Sequence, residues 1–268
     1  MKNILQYTLI IFFAFFVSCN NSKIDEKKNL QISHEKSEDC NNVHWTYKED
    51  EHGPTNWKNL CNGFSDCGGE VQSPINFITN EIVNDSNSTA LAINYFATPV
   101  NIANNGHTIQ FNVLGNNTIT IAEKEYKLLQ FHYHSESEHT INGNHFPLEV
   151  HFVNKYSEND YSVIGVMLEE GKINELFTKY LPCFPESKGE YSSEKVLDLK
   201  KLLPNNLSYY NYNGSLTTPP CSEVVNWFVL KNRIEASYEQ IEKFAKILHG
   251  NNRPVMPLNG RKIFAFNE

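Results

Sequence analysis

The residues best suited to chemistry lie in Gln130-Phe131-His132-Tyr133-His134-Ser135-Glu136-Ser137-Glu138-His139-Thr140 and in Leu148-Glu149-Val150-His151-Phe152. His132 and His134 are two apart among aromatic and β-branched neighbours, and side chains two apart on a strand share a face. His151 offers a third imidazole from a neighbouring strand. Three such rings leave the fourth corner of a tetrahedron open, as in a catalytic zinc site. Gln130 and Glu149 each precede a histidine by two and share its face. Each can accept a hydrogen bond from the ring nitrogen that does not bind metal. The competing reading is a set of partner-satisfied histidines on a wet strand. A lone His-x-His favours that reading; the clustering of Gln-x-His-x-His with Glu-x-His argues against it.

The elements that must hold these groups are mainly β. Glycine, asparagine and proline punctuate short apolar runs, which predicts strands near 90–95, 109–113, 118–121, 126–133, 148–154, 161–168 and 224–230. Asn104-Asn105-Gly106 and Leu114-Gly115-Asn116-Asn117 read as turns. One helix has a capping-box pair, Ser237 and Gln240, then an apolar stripe through Tyr238, Ile241, Phe244, Ala245 and Leu248, with Gly250 past its end. Shorter helical segments are predicted at 172–180 and 193–202.

Near its start the chain of 268 residues carries Lys2 and then an apolar run from Ile10 to Val17 before Ser18-Cys19. Residues 1–18 read as a signal peptide, too short for a comfortable membrane span. Ser18-Cys19 suits a lipobox with lipidation of Cys19, although Phe16 stands where leucine is usual. Ordinary secretory cleavage and an uncleaved anchor are the alternatives, and all three export the chain. Residues 20–39 are polar and mixed in charge, a disordered tether in composition. Residues 40–268 fit one domain. A formal net charge of −8 without basic runs argues against nucleic acid and against electrostatic docking on anionic lipid. Membrane attachment is therefore expected only through Cys19. Beyond Cys19 five cysteines remain, an odd number, none in Cys-x-x-Cys spacing.

Further motifs make the reading specific. They are Gln72-Ser73-Pro74-Ile75-Asn76, Asn104-Asn105-Gly106-His107, Gly214-Ser215-Leu216-Thr217-Thr218-Pro219-Pro220-Cys221, Asn252-Arg253-Pro254 and Pro257-Leu258-Asn259-Gly260-Arg261. In order and spacing, with the histidine segment, they resemble the α-class carbonic anhydrases from about His44 to Arg261. The resemblance implies a single mainly β (α+β) domain around a large, twisted, mostly antiparallel sheet with a few short peripheral helices. It implies reversible hydration of carbon dioxide to bicarbonate and a proton by zinc-hydroxide attack, with inhibition by sulfonamides and anions.

Residue by residue, the resemblance makes His132, His134 and His151 the zinc ligands. Thr217 would accept from the hydroxide, and Glu138 would take that threonine's own proton. Alone, these two would read as a turn threonine and a solvated acid. His107 would be the proton shuttle, with Tyr47, Asn105 and Gln110 organising its waters; the family often has asparagine where Gln110 stands. Val153, Val163, Leu216 and Val225, with Thr218, would line the carbon dioxide pocket. His139 would be a buried structural histidine rather than a fourth ligand that closes the site. Cys67 and Cys221 would form a disulfide; Cys40, Cys61 and Cys183 have no assigned partner.

Three rivals remain. A non-catalytic, carbonic-anhydrase-like binding module would typically lack zinc histidines, which survive here. A zinc-storage protein would need exposed histidine clusters, and residues 20–39 hold only His34. A zinc hydrolase of another kind would call for His-Glu-x-x-His.

Overall fold

Alternation along two strands fixes the centre of the molecule. In Lys124–His134, Phe131 and Tyr133 enter the main apolar core, so Gln130, His132 and His134 face the other way. In Leu148–Ser157, Val150 and Phe152 enter the same core, leaving Glu149, His151 and Val153 on the histidine face. The two strands pair antiparallel with His132 opposite His151 and His134 opposite Glu149. Ile109–Asn112 sets Gln110 beside His132, and Asp160–Glu170 sets Gly165 beside His151.

A computed structural model of the protein describes residues 40–268. The segments read as a signal peptide, a lipidated Cys19 and a tether lie outside the described residues. Within them a sheet of thirteen strands forms. Its main order is Gly189–Asp198, Ala97–Asn104, Ile109–Asn112, Lys124–His134, Leu148–Ser157, Asp160–Glu170, Val225–Leu230, Tyr209–Gly214, Phe264–Phe266, Val83–Asn84. Most pairings are antiparallel. Asp160–Glu170 runs parallel to Val225–Leu230, and Phe264–Phe266 parallel to Val83–Asn84, so the sheet is mixed.

The core face is closed by two helices. Tyr238–Leu248 carries the expected capping box, with Ser237 Oγ accepting from Gln240 N, and ends in a left-handed residue at His249, just before Gly250. Its Phe244 packs 4.7 Å from Tyr133 and 5.2 Å from Phe177, between ring centroids. Burial of such a ring stabilises by about 1.5–3 kcal/mol. Glu175–Tyr180 is shorter than the predicted segment, because the Asn174 side chain caps it by accepting from Leu176 N and Phe177 N.

The predicted helix at 193–202 is corrected. Gly189–Asp198 is a strand, and only Leu199–Leu202 turns, as a 3-10 helix. Val196 and Leu197 pair with Pro99 and Thr98 after a register shift, and Leu197 is buried. Pairing the otherwise open edge of Ala97–Asn104 outweighs a weak local helical preference.

A satellite core holds Trp57, Phe64 and two disulfides. Cys67–Cys221 is formed, as the resemblance implied. Cys40–Cys61 pairs two cysteines that sequence alone left unassigned. The loop between them folds back on Trp57, whose Nε1 donates to Thr46 O and His52 O. Cys183 is the free cysteine among the described residues. Two disulfides mark a domain of an oxidising, non-cytoplasmic compartment.

Candidate metal centre

Each of the three histidines is turned by a different protein group. His132 Nδ1 lies 2.8 Å from Gln130 Oε1, His134 Nδ1 2.7 Å from the Asn251 carbonyl, and His151 Nε2 2.9 Å from Glu149 Oε1. These oxygens only accept, so each outer nitrogen donates, and in the neutral ring the inner one keeps its lone pair. The candidate ligand atoms of the three residues all lie within 4.8 Å of one another. Burial, and then the neighbouring His134 and His151, hold His132 well below the usual histidine pKa. Burial likewise lowers His134, against the pull of Glu138. Neutral imidazole is the metal-binding form. His134 Nε2 is buried with no hydrogen-bond partner. An orphaned polar atom of this kind costs about 1–3 kcal/mol, and a cation resolves it. The donor set and this orphan both fit a zinc-type ion.

Glu149 anchors the centre from behind. Oε1 faces His139 Nδ1 at 2.8 Å as well as His151, and Oε2 accepts from Glu138 N and His139 N, each at 2.9 Å. Burial pushes its carboxyl up, but His139 and His151 hold it well below the carboxylate range. His139 also meets the Tyr212 hydroxyl at 2.6 Å. Both of its ring nitrogens are therefore occupied, and it is no fourth ligand. Space for the Glu149 carboxylate depends on Gly165, where a Cβ would come within 2.9 Å of Glu149 Oε1 and 3.4 Å of Val229 Cγ2. Gly165→Ala is expected to lower stability by about 1–3 kcal/mol and metal affinity by about 10–100-fold. Thermal melts and chelator competition check this; an unchanged affinity would detach Gly165 from the site.

The sequence and the fold match a described family. The model of the eukaryotic-type carbonic anhydrases matches residues 52–267. The chain belongs to this family. A carbonic anhydrase of Pectobacterium atrosepticum is 40% identical over 224 residues, covering 82% of this chain and 90% of that protein. One of Neisseria gonorrhoeae is 40% identical, covering 83% and 88%. The solved α-carbonic anhydrase of Thermovibrio ammonificans, in complex with the inhibitor sulfanilamide, superposes with a TM-score of 0.79 at 40% identity, covering 83% of this chain and 99% of that one.

The loop bearing the family's Gly-Ser-Leu-Thr-Thr segment is held by Leu216 N donating to Ser222 O, by Cys221 N donating to Thr218 O, and by Cys67–Cys221. Thr217 is buried there. Glu138 is fully buried; Arg253 N donates to its Oε1 at 2.9 Å, and its Oε2 has no hydrogen-bond partner but lies 3.8 Å from His151 Nδ1. The Thr217–Glu138 hydrogen bond implied by the resemblance is not formed in this structure. Arg253 Nη1 donates to Gln72 Oε1 and Ser73 O and its Nη2 to Cys67 O, while its Nε has no hydrogen-bond partner.

A cleft of about 120 Å³ opens over His132 and His134 and gathers Tyr47, Asn105, His107, Gln110, Gln130 and Thr218. His107 stacks on Trp45 with centroids 3.8 Å apart and planes within 9°. Asn105 Oδ1 accepts from His107 N and Thr108 N, which fixes the turn. Burial first, then His44 and Lys188, lowers the His107 pKa. Val153, Val163 and Val225 share one apolar cluster, with Leu216 packed against it.

Sequence reasoning missed Asn251. Its carbonyl turns His134, its Oδ1 accepts from Ser135 N, and its Nδ2 donates to the His107 and Tyr133 carbonyls. A backbone acceptor leaves no trace in residue type. Its place next to Asn252-Arg253-Pro254 was the available signal.

Proposed function

We propose that the protein catalyses reversible hydration of carbon dioxide to bicarbonate and a proton, with zinc held by His132, His134 and His151. The observation that carries this is the convergence of three outwardly anchored imidazoles, two of them held toward the neutral form by burial, on the orphaned His134 Nε2. An ion held there by these three rings would acidify a bound water and so supply a nucleophile at neutral pH, carbonic anhydrase being the standard case of this chemistry.

The chain does the rest. Gln130, Glu149 and the Asn251 carbonyl fix the rings. With the metal bound, Thr217 would turn its hydroxyl, not bonded to Glu138 in this structure, to donate to Glu138 Oε2, which would leave it only lone pairs to offer the nucleophile and so orient the attack. Val153, Val163, Leu216 and Val225 give carbon dioxide an apolar wall beside Thr218. His107 accepts the released proton through waters ordered by Tyr47, Asn105 and Gln110, and passes it to buffer.

Stopped-flow carbon dioxide hydration, with metal content measured on the same sample, tests the reading. Fast hydration at one zinc per chain, abolished by a sulfonamide, supports it. A folded, zinc-loaded and inactive sample would favour the non-catalytic binding module instead.

His107→Ala is expected to lower kcat about tenfold or more in weak buffer, with kcat/KM unchanged and part of the rate restored by imidazole. Burial favours the neutral, proton-accepting ring. The kcat inflection that this variant removes should therefore lie below about 6.5, the unperturbed histidine value. Indifference to both the variant and imidazole would refute the shuttle.

The reading extends to the N-terminus. Export through 1–18 and lipidation of Cys19 would anchor the domain in the cell envelope. Labelled fatty acid should enter the full chain in a bacterial host and be lost in Cys19→Ser; equal labelling of both would reject the anchor.

A further inference from the structure

Polar side chains cross the sheet in register from the cleft to its edge. Gln110 stands opposite His132, Asn112 opposite Gln130, and Asn101 opposite Ser192. Between them Ile102 and Phe111 turn into the main core, so the polar residues share the histidine face. They are joined by a single line of hydrogen bonds. Gln110 Nε2 donates to Asn112 Oδ1 at 2.6 Å, Asn112 Nδ2 to Asn101 Oδ1 at 2.7 Å, and Asn101 Nδ2 to Ser192 Oγ at 3.0 Å. Asparagine is disfavoured in strands, and two of them aligned behind a cleft glutamine call for a reason beyond folding.

The direction of the line supplies one. Every amide donates toward the sheet edge, and both asparagines accept from the cleft side. Gln110 lines the cleft beside His107 and His132. With its amide nitrogen drawn toward Asn112, its carbonyl oxygen is the group left for the cleft. A water beside a carbonyl must donate one hydrogen to it. Its other hydrogen can then go to His107, and its lone pairs can receive a proton from the metal side. An amide N–H in the same place would occupy a lone pair and break that order.

We infer that Asn112 and Asn101 are positioning residues for proton export, acting through the orientation of Gln110. This rests on the proposed shuttle role of His107. Neither residue touches the reacting atoms, so the carbon dioxide step should be insensitive to them.

The test is stopped-flow hydration in weak buffer on Asn112→Leu, Asn101→Leu and Asn112→Asp, beside the unaltered protein and His107→Ala. Both leucine variants are expected to lose about three- to tenfold in kcat, with kcat/KM unchanged and the loss relieved by excess imidazole. Asn112→Asp should stay close to the unaltered protein, because a carboxylate still accepts from Gln110 and keeps its carbonyl in the cleft. A structural role alone would lower kcat and kcat/KM together, and that outcome overturns the inference. So does an unchanged kcat in both leucine variants while His107→Ala is slow. If His107→Ala is itself unaffected, the shuttle reading fails, and the inference falls with it for that separate reason.

Discussion

His132→Ala is expected to lose tight metal binding and carbon dioxide hydration together, with hydration falling on the order of a thousandfold or more. The variant leaves His134 and His151, whose rings stand 4.6 Å apart, and two imidazoles do not complete a catalytic zinc site. His132 is the ligand to change because its ring lines the cleft. Phe131 and Tyr133, on the other face, carry the packing of that strand. His151 would be a poorer choice, since removing it also strips a partner from the buried Glu149. Metal content after dialysis, hydration rate and thermal melt on one sample check the expectation. Full zinc retention with an unchanged melt would overturn the ligand assignment.

The second large effect is on stability. Cys67–Cys221 joins residues 154 apart in sequence, and the chain-entropy account gives such a closure about 5 kcal/mol. That is comparable with the whole net stability of a small domain, about 5–15 kcal/mol. Cys40–Cys61 closes only 21 residues, which the same account values at about 3 kcal/mol. The paired change Cys67→Ser with Cys221→Ser should therefore destabilise more than Cys40→Ser with Cys61→Ser in denaturant titrations. Equal losses would mean that loop length is not what matters here. The longer bond should also touch activity. Cys67 O accepts from Arg253, whose backbone N–H holds Glu138, and Cys221 lies in the loop of Thr217.

The face shared by His132 and His134 was legible because a strand has a period of two and Phe131 and Tyr133 interleave with them. The same rule placed Gln130 and Glu149 behind their histidines, and the observed ring contacts follow it. The third ring anchor was not legible, because Asn251 acts through its carbonyl and any residue type carries one. Gly165 was silent for a related reason: its contribution is space for a carboxylate from a neighbouring strand. Residues 193–198 misled because their charged and small side chains favour a helix locally. The unpaired edge of Ala97–Asn104, which decides the matter, lies nearly a hundred residues away. Pairing of Cys40 with Cys61 depends on a loop wrapped around Trp57, a contact that no spacing rule contains.

The three ring anchors have a consequence for how the protein matures. A glutamine amide, a backbone carbonyl and a carboxylate, all supplied by the chain, aim the imidazoles through sheet register. In a zinc finger the ion must drive folding, so metal and structure arrive together. Here the ring directions are set by the chain's own hydrogen bonds, so the fold is expected to stand when the metal is removed. A chain of this design can close its disulfides and settle its sheet first, and take up its metal last. Metal scarcity would then yield a reservoir of intact, dormant enzyme rather than a misfolded one.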